Sequence, residues 1–237
     1  EIALLAEKID AVIGCSLMGL TGIPSNSPRF LGLQGMHGHY ASSAAQNSAD
    51  LIFGVGVRFS DRATGDKKKY AKNASIIHID VDGSEINKII PSTVGIAADL
   101  TDTFRRIARR VSPAKHPSWM KKVEEFKKRE ALTHKKSDNL TPPEIFKIIN
   151  SVTKGEALVA TDVGQHQMWA AQYCNFKDPR TLVTSGGLGT MGFGLGAAIG
   201  AYVGGKRKTL LITGDGSFGM NLNELATAVT YKIPVVI

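Results

Sequence analysis

Ile2, Leu5, Ala6 and Ile9 recur at the spacing of one buried helix face, and Glu1, Glu7, Lys8 and Asp10 fill the rest of the turns, so the chain opens on an amphipathic helix. Apolar runs then predict strands at residues 11–15, 51–56, 75–81 and 94–97, with a small-residue helix over 41–48. A further helix follows whose inner face is Phe104, Ile107, Ala108 and Val111. Alternation of this kind builds a parallel sheet covered by helices.

The pattern breaks over residues 112–139, which are polar and basic, and resumes at Thr141-Pro142-Pro143-Glu144. There Thr141 is a candidate N-cap, Pro142 suits the first helical position and Glu144 completes a capping box. Strands are predicted at 157–161, 181–184 and 209–213, and residues 185–202 begin glycine-rich and become a helix. A last helix is predicted over 221–231, with the entry to a buried strand at 233–237. The fold class is α/β, with two doubly wound parallel-sheet domains at residues 1–111 and 141–237 joined by a basic linker at 112–140. Because helical periodicity is under way at Glu1 and a buried strand is being entered at Ile237, both ends are expected to continue into further chain.

Composition narrows the class. With 237 residues and 43% hydrophobic content, one large or two ordinary domains have material for real cores. No apolar run approaches a membrane span, so no membrane association is expected. Cys15 and Cys174 stand alone, without the spacing of a disulfide framework or a zinc site, which suits a reducing compartment. The net charge of +8 is concentrated between Lys115 and Lys136, where Lys121, Lys122, Lys127, Lys128, Arg129, Lys135 and Lys136 cluster. Glu124, Glu125 and Glu130 interleave at helical spacing, so the stretch reads as a solvated linker helix rather than a nucleic-acid surface.

Three junctions carry chemistry. Leu210-Leu211-Ile212-Thr213 runs into Gly214-Asp215-Gly216-Ser217-Phe218, which puts one carboxylate at the carboxyl edge of a sheet, where such folds bind ligands. The flanking glycines let backbone approach a phosphate, and Asp215 offers a hard oxygen for Mg²⁺; taken alone, Gly-Asp-Gly is only a turn. Gly186-Gly187-Leu188-Gly189-Thr190-Met191-Gly192 and Asp162-Val163-Gly164-Gln165-His166-Gln167 sit at two other strand ends of the same domain. In the first domain, Gly54-Val55-Gly56-Val57-Arg58-Phe59-Ser60-Asp61-Arg62 sets two arginines beside glycines, which suits the phosphates of a dinucleotide or is plain surface charge. Asp80 ends a strand at the place where an acid binds ribose hydroxyls.

Gly-Asp-Gly-Ser-Phe, followed by Met-Asn-Leu-Asn-Glu-Leu-Ala-Thr-Ala, resembles the first half of the thiamine-diphosphate motif. Val-Gly-Gln-His-Gln-Met-Trp-Ala-Ala-Gln and Ser-Gly-Gly-Leu-Gly-Thr-Met-Gly-Phe-Gly-Leu are similar to the large, catalytic subunits of acetolactate synthase, and the resemblance spans the whole chain. It implies that Asp215 coordinates Mg²⁺, that Gly214, Gly216, Ser217, Gln165 and His166 line a thiamine diphosphate site, and that Gly189 and Met191 lie against that cofactor. His166 also reads as a capping residue of a helix start. For the first domain the resemblance implies FAD contacts from Ser16, Leu17, Gly35, Met36, His37, Gly56, Arg58, Arg62, Asp80 and Asp99, with Ser60 in place of the family's usual acid.

Acetolactate synthases decarboxylate pyruvate and join the remaining two-carbon unit to a second pyruvate or to 2-oxobutyrate, in branched-chain amino acid biosynthesis. The resemblance implies that reaction for the parent protein, with FAD in a structural role. Its activating glutamate and the closing asparagine of the thiamine motif are expected outside residues 1–237, so no catalytic residue is assigned and the piece by itself is expected to be inactive. A homodimer or tetramer with a possible regulatory subunit is implied, in a bacterial cytoplasm or in a plastid or mitochondrion. Glyoxylate carboligase and pyruvate oxidase share the architecture and stand as alternatives.

Overall fold

The computed structural model describes residues 1–131 and 138–237, so Lys135 and Lys136 of the basic cluster lie outside the described residues. The described chain divides into two compact units, one of residues 1–16 and 31–131, the other of Leu17–Phe30 and residues 138–237.

In the first unit β3 (Leu51–Val55), β4 (Ser75–Asp80) and β5 (Val94–Ala97) form a parallel sheet in that order. Side chains alternate across a strand, so Phe53, Val55, Ile77, Ile79 and Ile96 face α1 (Ile2–Lys8) and α4 (Leu100–Arg110), meeting Leu5, Phe104, Ile107, Ala108 and Val111. Ile52 and Ile76 face the other way, toward Phe59, Ala71 and Ile90. The predicted inner face of α4 is thus the face that packs.

Beside this sheet β1 (Ile13–Cys15) and β2 (Phe30–Leu33) pair in a sheet of their own. The four-residue β2 has too short a pattern to be predicted. The 112–140 stretch differs from its expectation as a solvated linker. It holds α5 (Pro117–Ala131), a helix with Lys121, Lys122, Lys128 and Arg129 exposed but with Val123 fully buried against Leu31 and Ala45. Trp119 and Phe126 flank Val123 on the same face, and that i, i+4, i+7 stripe is the signal a reading from charge alone overlooks. At its far end Glu130 accepts from the Tyr40 and Ala41 amides at 3.1 and 3.3 Å, closing the open N–H groups of α2 (Tyr40–Ser48).

The second unit begins with α6 (Pro142–Thr153), whose Glu144 carboxylate accepts from the Thr141 amide at 2.8 Å and its hydroxyl at 2.7 Å. Then come β6 (Leu158–Thr161), α7 (Gln165–Tyr173), β7 (Leu182–Thr184), α8 (Phe193–Gly205), β8 (Thr209–Ile212), α9 (Asp215–Gly219), α10 (Leu225–Thr230) and β9 (Val235–Val236). All four strands are parallel, in the order β7-β6-β8-β9. Val159, Leu182 and Ile212 pack with Phe146, Ala170, Cys174 and Phe176 on one face, while Ala160, Leu211 and Val235 pack with Leu195 and Ala198 of α8 on the other. Helices on both faces make this sheet doubly wound. From β6 the chain goes one way to β7 and then crosses to β8 on the other side, so the switch point of the topology lies between β6 and β8.

The single helix expected over 221–231 is broken into a 3-10 turn at Leu222–Glu224 and the shorter α10. Asn221 takes φ −140° and ψ 19° there, and its side-chain Nδ2 donates to the Gly192 carbonyl at 3.0 Å, a tertiary contact that periodicity cannot report.

Candidate functional site

The carboxyl ends of β6 and β8 are adjacent by register: Thr161 pairs with Ile212, and the Asp162 amide donates to the Ile212 carbonyl at 3.0 Å. This alone sets Asp162-Val163-Gly164 beside Thr213-Gly214-Asp215 at the switch point, where the loops diverge and leave a crevice. α8 enters from the third junction, with Gly192 as its N-cap at φ 84°.

His166, in the first turn of α7, lies across the two junctions. A Cβ on Gly214 would stand 3.1 Å from its Nδ1 and one on Gly164 would stand 3.0 Å from its Cε1, so a side chain at either position would require the ring to give way by a few tenths of an ångström. Among the described residues the His166 Nε2 is buried without a hydrogen-bond partner, a cost that protein folds tolerate where a ligand supplies the partner. Burial pushes the imidazole pKa down, and the Asp162 charge and a bond to the Asp162 backbone oppose that push. Gln165, next to it, is exposed.

Asp215 is exposed at the rim in the first turn of α9, and Gly216 beside it has Met191 for a neighbour, with the methionine Cε 3.6 Å from where a Cβ would stand. A Cβ on Gly189 would meet Val163 Cγ1 at 3.7 Å. The three glycine junctions are therefore one rim, with a carboxylate, an imidazole and a thioether on it. Ser217 differs from its expectation: it is 2% exposed, and its hydroxyl donates inward to the Val163 carbonyl at 3.2 Å, tying α9 to the β6 exit. Among the described residues no group of three or more His, Cys, Asp or Glu is arranged to hold a metal by itself. A lone Asp215 carboxylate fits a Mg²⁺ that draws its other oxygens from a diphosphate.

Asp162, which sequence reasoning did not single out, is the most enclosed charge of the site at 1% exposure. Its carboxylate accepts from the Gly194 amide at 3.0 Å and from the Thr213 hydroxyl at 2.8 Å. A Cβ on Gly194 would lie 2.5 Å from Asp162 Oδ2. Only the fold brings these three residues together, so no local pattern could have named them.

In the first unit Gly56, Asp80 and Asp99 share the carboxyl edge of the sheet. The Gly56 amide donates to Ile79 at 2.9 Å and the Ala98 amide to Asp80 at 3.0 Å, which orders the strand ends side by side. Asp80 is 8% exposed and accepts from the Asp82 amide at 2.9 Å, while Asp99 caps α4 by accepting from the Asp102 amide at 2.8 Å. Arg58 is exposed, and Arg62 is exposed and pairs with Asp61 at 2.9 Å, in α3 (Asp61–Thr64). The Met36 amide donates to the Arg62 carbonyl at 2.9 Å, and the same carbonyl lies 2.3 Å from where a Cβ on Gly35 would be, so only glycine allows this approach. Gly35, Met36, Ala63 and Thr64 line a cleft of about 200 Å³ together with Gln46 and Asn47 of α2. His37 and Ser16 are exposed. Leu17 falls in the second unit, its Cδ2 3.3 Å from a Cβ position on Gly186.

Residues 1–107 match the thiamine pyrophosphate enzyme central domain, and residues 162–237 match the thiamine pyrophosphate enzyme C-terminal TPP binding domain. The chain belongs to the thiamine pyrophosphate enzymes.

Within that class its relatives are acetolactate synthases. The chain is 41% identical to the acetolactate synthase large subunit of Buchnera aphidicola subsp. Schlechtendalia chinensis, with 100% of this chain and 43% of that protein aligned. It is 40% identical to the acetolactate synthase isozyme 3 large subunit of Escherichia coli, over 98% of this chain and 42% of that one. A plant protein, acetolactate synthase 1, chloroplastic, of Nicotiana tabacum, is 40% identical over 99% of this chain and 36% of its own length. The chain thus spans under half the length of the curated relatives it matches.

Proposed function

We propose that this chain is the cofactor-holding part of an acetolactate synthase, a transferase that decarboxylates pyruvate and condenses the product with a second 2-oxo acid, pyruvate or 2-oxobutyrate. In this reading the β6–β8 rim takes the diphosphate end of thiamine diphosphate. Asp215 supplies a carboxylate oxygen to Mg²⁺, Gly214 and Gly216 allow backbone to close on the phosphates, and Gln165 and His166 reach them from the start of α7. Gly189 and Met191 border the organic part of the cofactor. Bound thiamine diphosphate supplies the electron sink for loss of CO₂; the protein's share is to bind, orient and keep water out.

The observation that carries the proposal is the half-buried imidazole of His166, set between two glycine junctions at the topological switch point with its Nε2 enclosed and unpartnered among the described residues. Calorimetric titration of the chain with thiamine diphosphate and Mg²⁺ tests it. Saturable binding that requires the divalent ion and is lost in Asp215→Asn supports the site. Equal binding by parent and Asp215→Asn overturns the role of Asp215, and no binding by the parent overturns the site.

The second part of the proposal is that the Gly56, Arg58, Arg62, Asp80 and Asp99 edge of the first unit, with the Gly35–Met36 cleft, holds FAD as a structural cofactor. Two exposed guanidinium groups suit a pyrophosphate, and a buried acid at a strand end suits a ribose. Flavin absorbance retained through gel filtration by the parent and lost in Arg58→Ala/Arg62→Ala is the expected result. Equal retention by both proteins would place the flavin elsewhere.

A further inference from the structure

The three junctions of the second unit do more than border a crevice; they are tied at one atom group. Asp162 ends β6 and its carboxylate is enclosed. One oxygen accepts from the Gly194 amide in the first turn of α8, and the other accepts from the Thr213 hydroxyl at the exit of β8. The charge of Asp162 also acts on the nearby His166 imidazole. One residue thus ties the start of α8 to the turn that carries Asp215, beside the ring that lies against Gly164 and Gly214.

Nothing about folding the sheet requires a carboxylate here. A buried charge is costly unless it is bonded, and the two donors on its oxygens are neutral groups, not a counter-ion. Gly194 has no side chain where one would fall 2.5 Å from Asp162 Oδ2 and 2.8 Å from Leu211 Cδ1, so the amide can reach the carboxylate only because that position is glycine. Two carboxylate oxygens also set the spacing of their two donors rigidly, which a hydroxyl or a methyl group in the same place would not do.

We propose that Asp162 is a positioning residue that couples the α8 entrance to the Thr213–Asp215 turn and thereby holds the diphosphate rim in its binding geometry. It touches no ligand in this proposal; it acts through Gly194 and Thr213. The proposal rests on the reading of this rim as a thiamine diphosphate site for its functional consequence, while the coupling itself stands on the geometry alone.

The test has a ligand-free arm and a ligand arm. Asp162→Ala is the direct variant, but it strands two buried donors and can fail to fold, so Thr213→Val is the deciding one, with Thr213→Ser as the conservative control. In the first arm, hydrogen exchange of the Gly194 amide is followed without ligand. Thr213→Val, which lies on a different element, is expected to speed that exchange about tenfold by loosening the carboxylate, the scale of one charge-assisted hydrogen bond, and Thr213→Ser to restore it within about threefold. In the second arm, affinity for thiamine diphosphate with Mg²⁺ is expected to fall about tenfold in Thr213→Val and to return in Thr213→Ser. Unchanged Gly194 exchange in Thr213→Val, or equal loss in Thr213→Ser, overturns the coupling. A tenfold change in exchange with no change in affinity overturns the role in the binding geometry. If the parent binds no thiamine diphosphate, the reading of the site falls and the exchange arm still decides the coupling.

Discussion

Replacing Gly194 by alanine sets two opposed magnitudes against each other. In an ordinary helix the change is favourable by up to about 1 kcal/mol, because alanine loses less backbone entropy than glycine. Here the new methyl group would fall 2.5 Å from Asp162 Oδ2, 2.8 Å from its Cγ and 2.8 Å from Leu211 Cδ1. Asp162 is 1% and Leu211 3% exposed, so neither can swing into solvent. Overpacking of this kind costs about 1–3 kcal/mol. Weakening the Gly194 amide bond to a carboxylate adds about 1.5–3 kcal/mol. The net is a destabilisation of roughly 1.5–5 kcal/mol after the propensity gain. For a unit of this size each kcal/mol lowers the melting temperature by about 4–8 °C, so a fall of at least about 6 °C by far-UV circular dichroism is expected. Gly200→Ala is the internal control, because nothing lies within 4 Å of its Cβ position in the same helix and it should be neutral or stabilising. If Gly194→Ala melts with Gly200→Ala, the close approach at Asp162 does not constrain the fold and the reasoning fails.

Two other outcomes follow from the same structure. The folded His166 pKa lies below its ordinary 6.5 because of burial, so the unfolded chain binds the proton more readily. Stability is therefore undiminished above about pH 6.5, declines as the pH falls through that value, and levels once the folded imidazole is protonated. Urea midpoints measured across that window should show the decline in the parent and a flatter profile in His166→Gln; identical profiles would remove His166 as the cause. Phe104→Ala empties a 3% exposed position between α4 and the first sheet and should cost about 3–5 kcal/mol in urea unfolding. A loss below 1 kcal/mol would mean that α4 is not held by that face.

Glycine and aspartate at strand ends were legible in the sequence because apolar runs followed by Gly-x-Gly punctuation survive as one-dimensional patterns. The predicted strands begin and end within two residues of the observed ones for β3 to β8. The family could be recognised for the same reason: its motifs are contiguous. Patterns of helical period were less complete, since charge in 112–140 hid the Trp119, Val123 and Phe126 stripe that docks α5.

What the sequence by itself determined, then, is which segments are strands, which are helices and which junctions carry glycine and acid. The tertiary structure decided everything that depends on distance between segments. Strand order β7-β6-β8-β9 made a switch point of the β6 and β8 exits, turned Ser217 inward to Val163, broke the helix after Asn221 and enclosed Asp162 between Thr213 and Gly194. Periodicity reports only which face of an element seeks burial, whereas a hydrogen bond between residues 32 or 51 positions apart exists only once the sheet has set their separation in space.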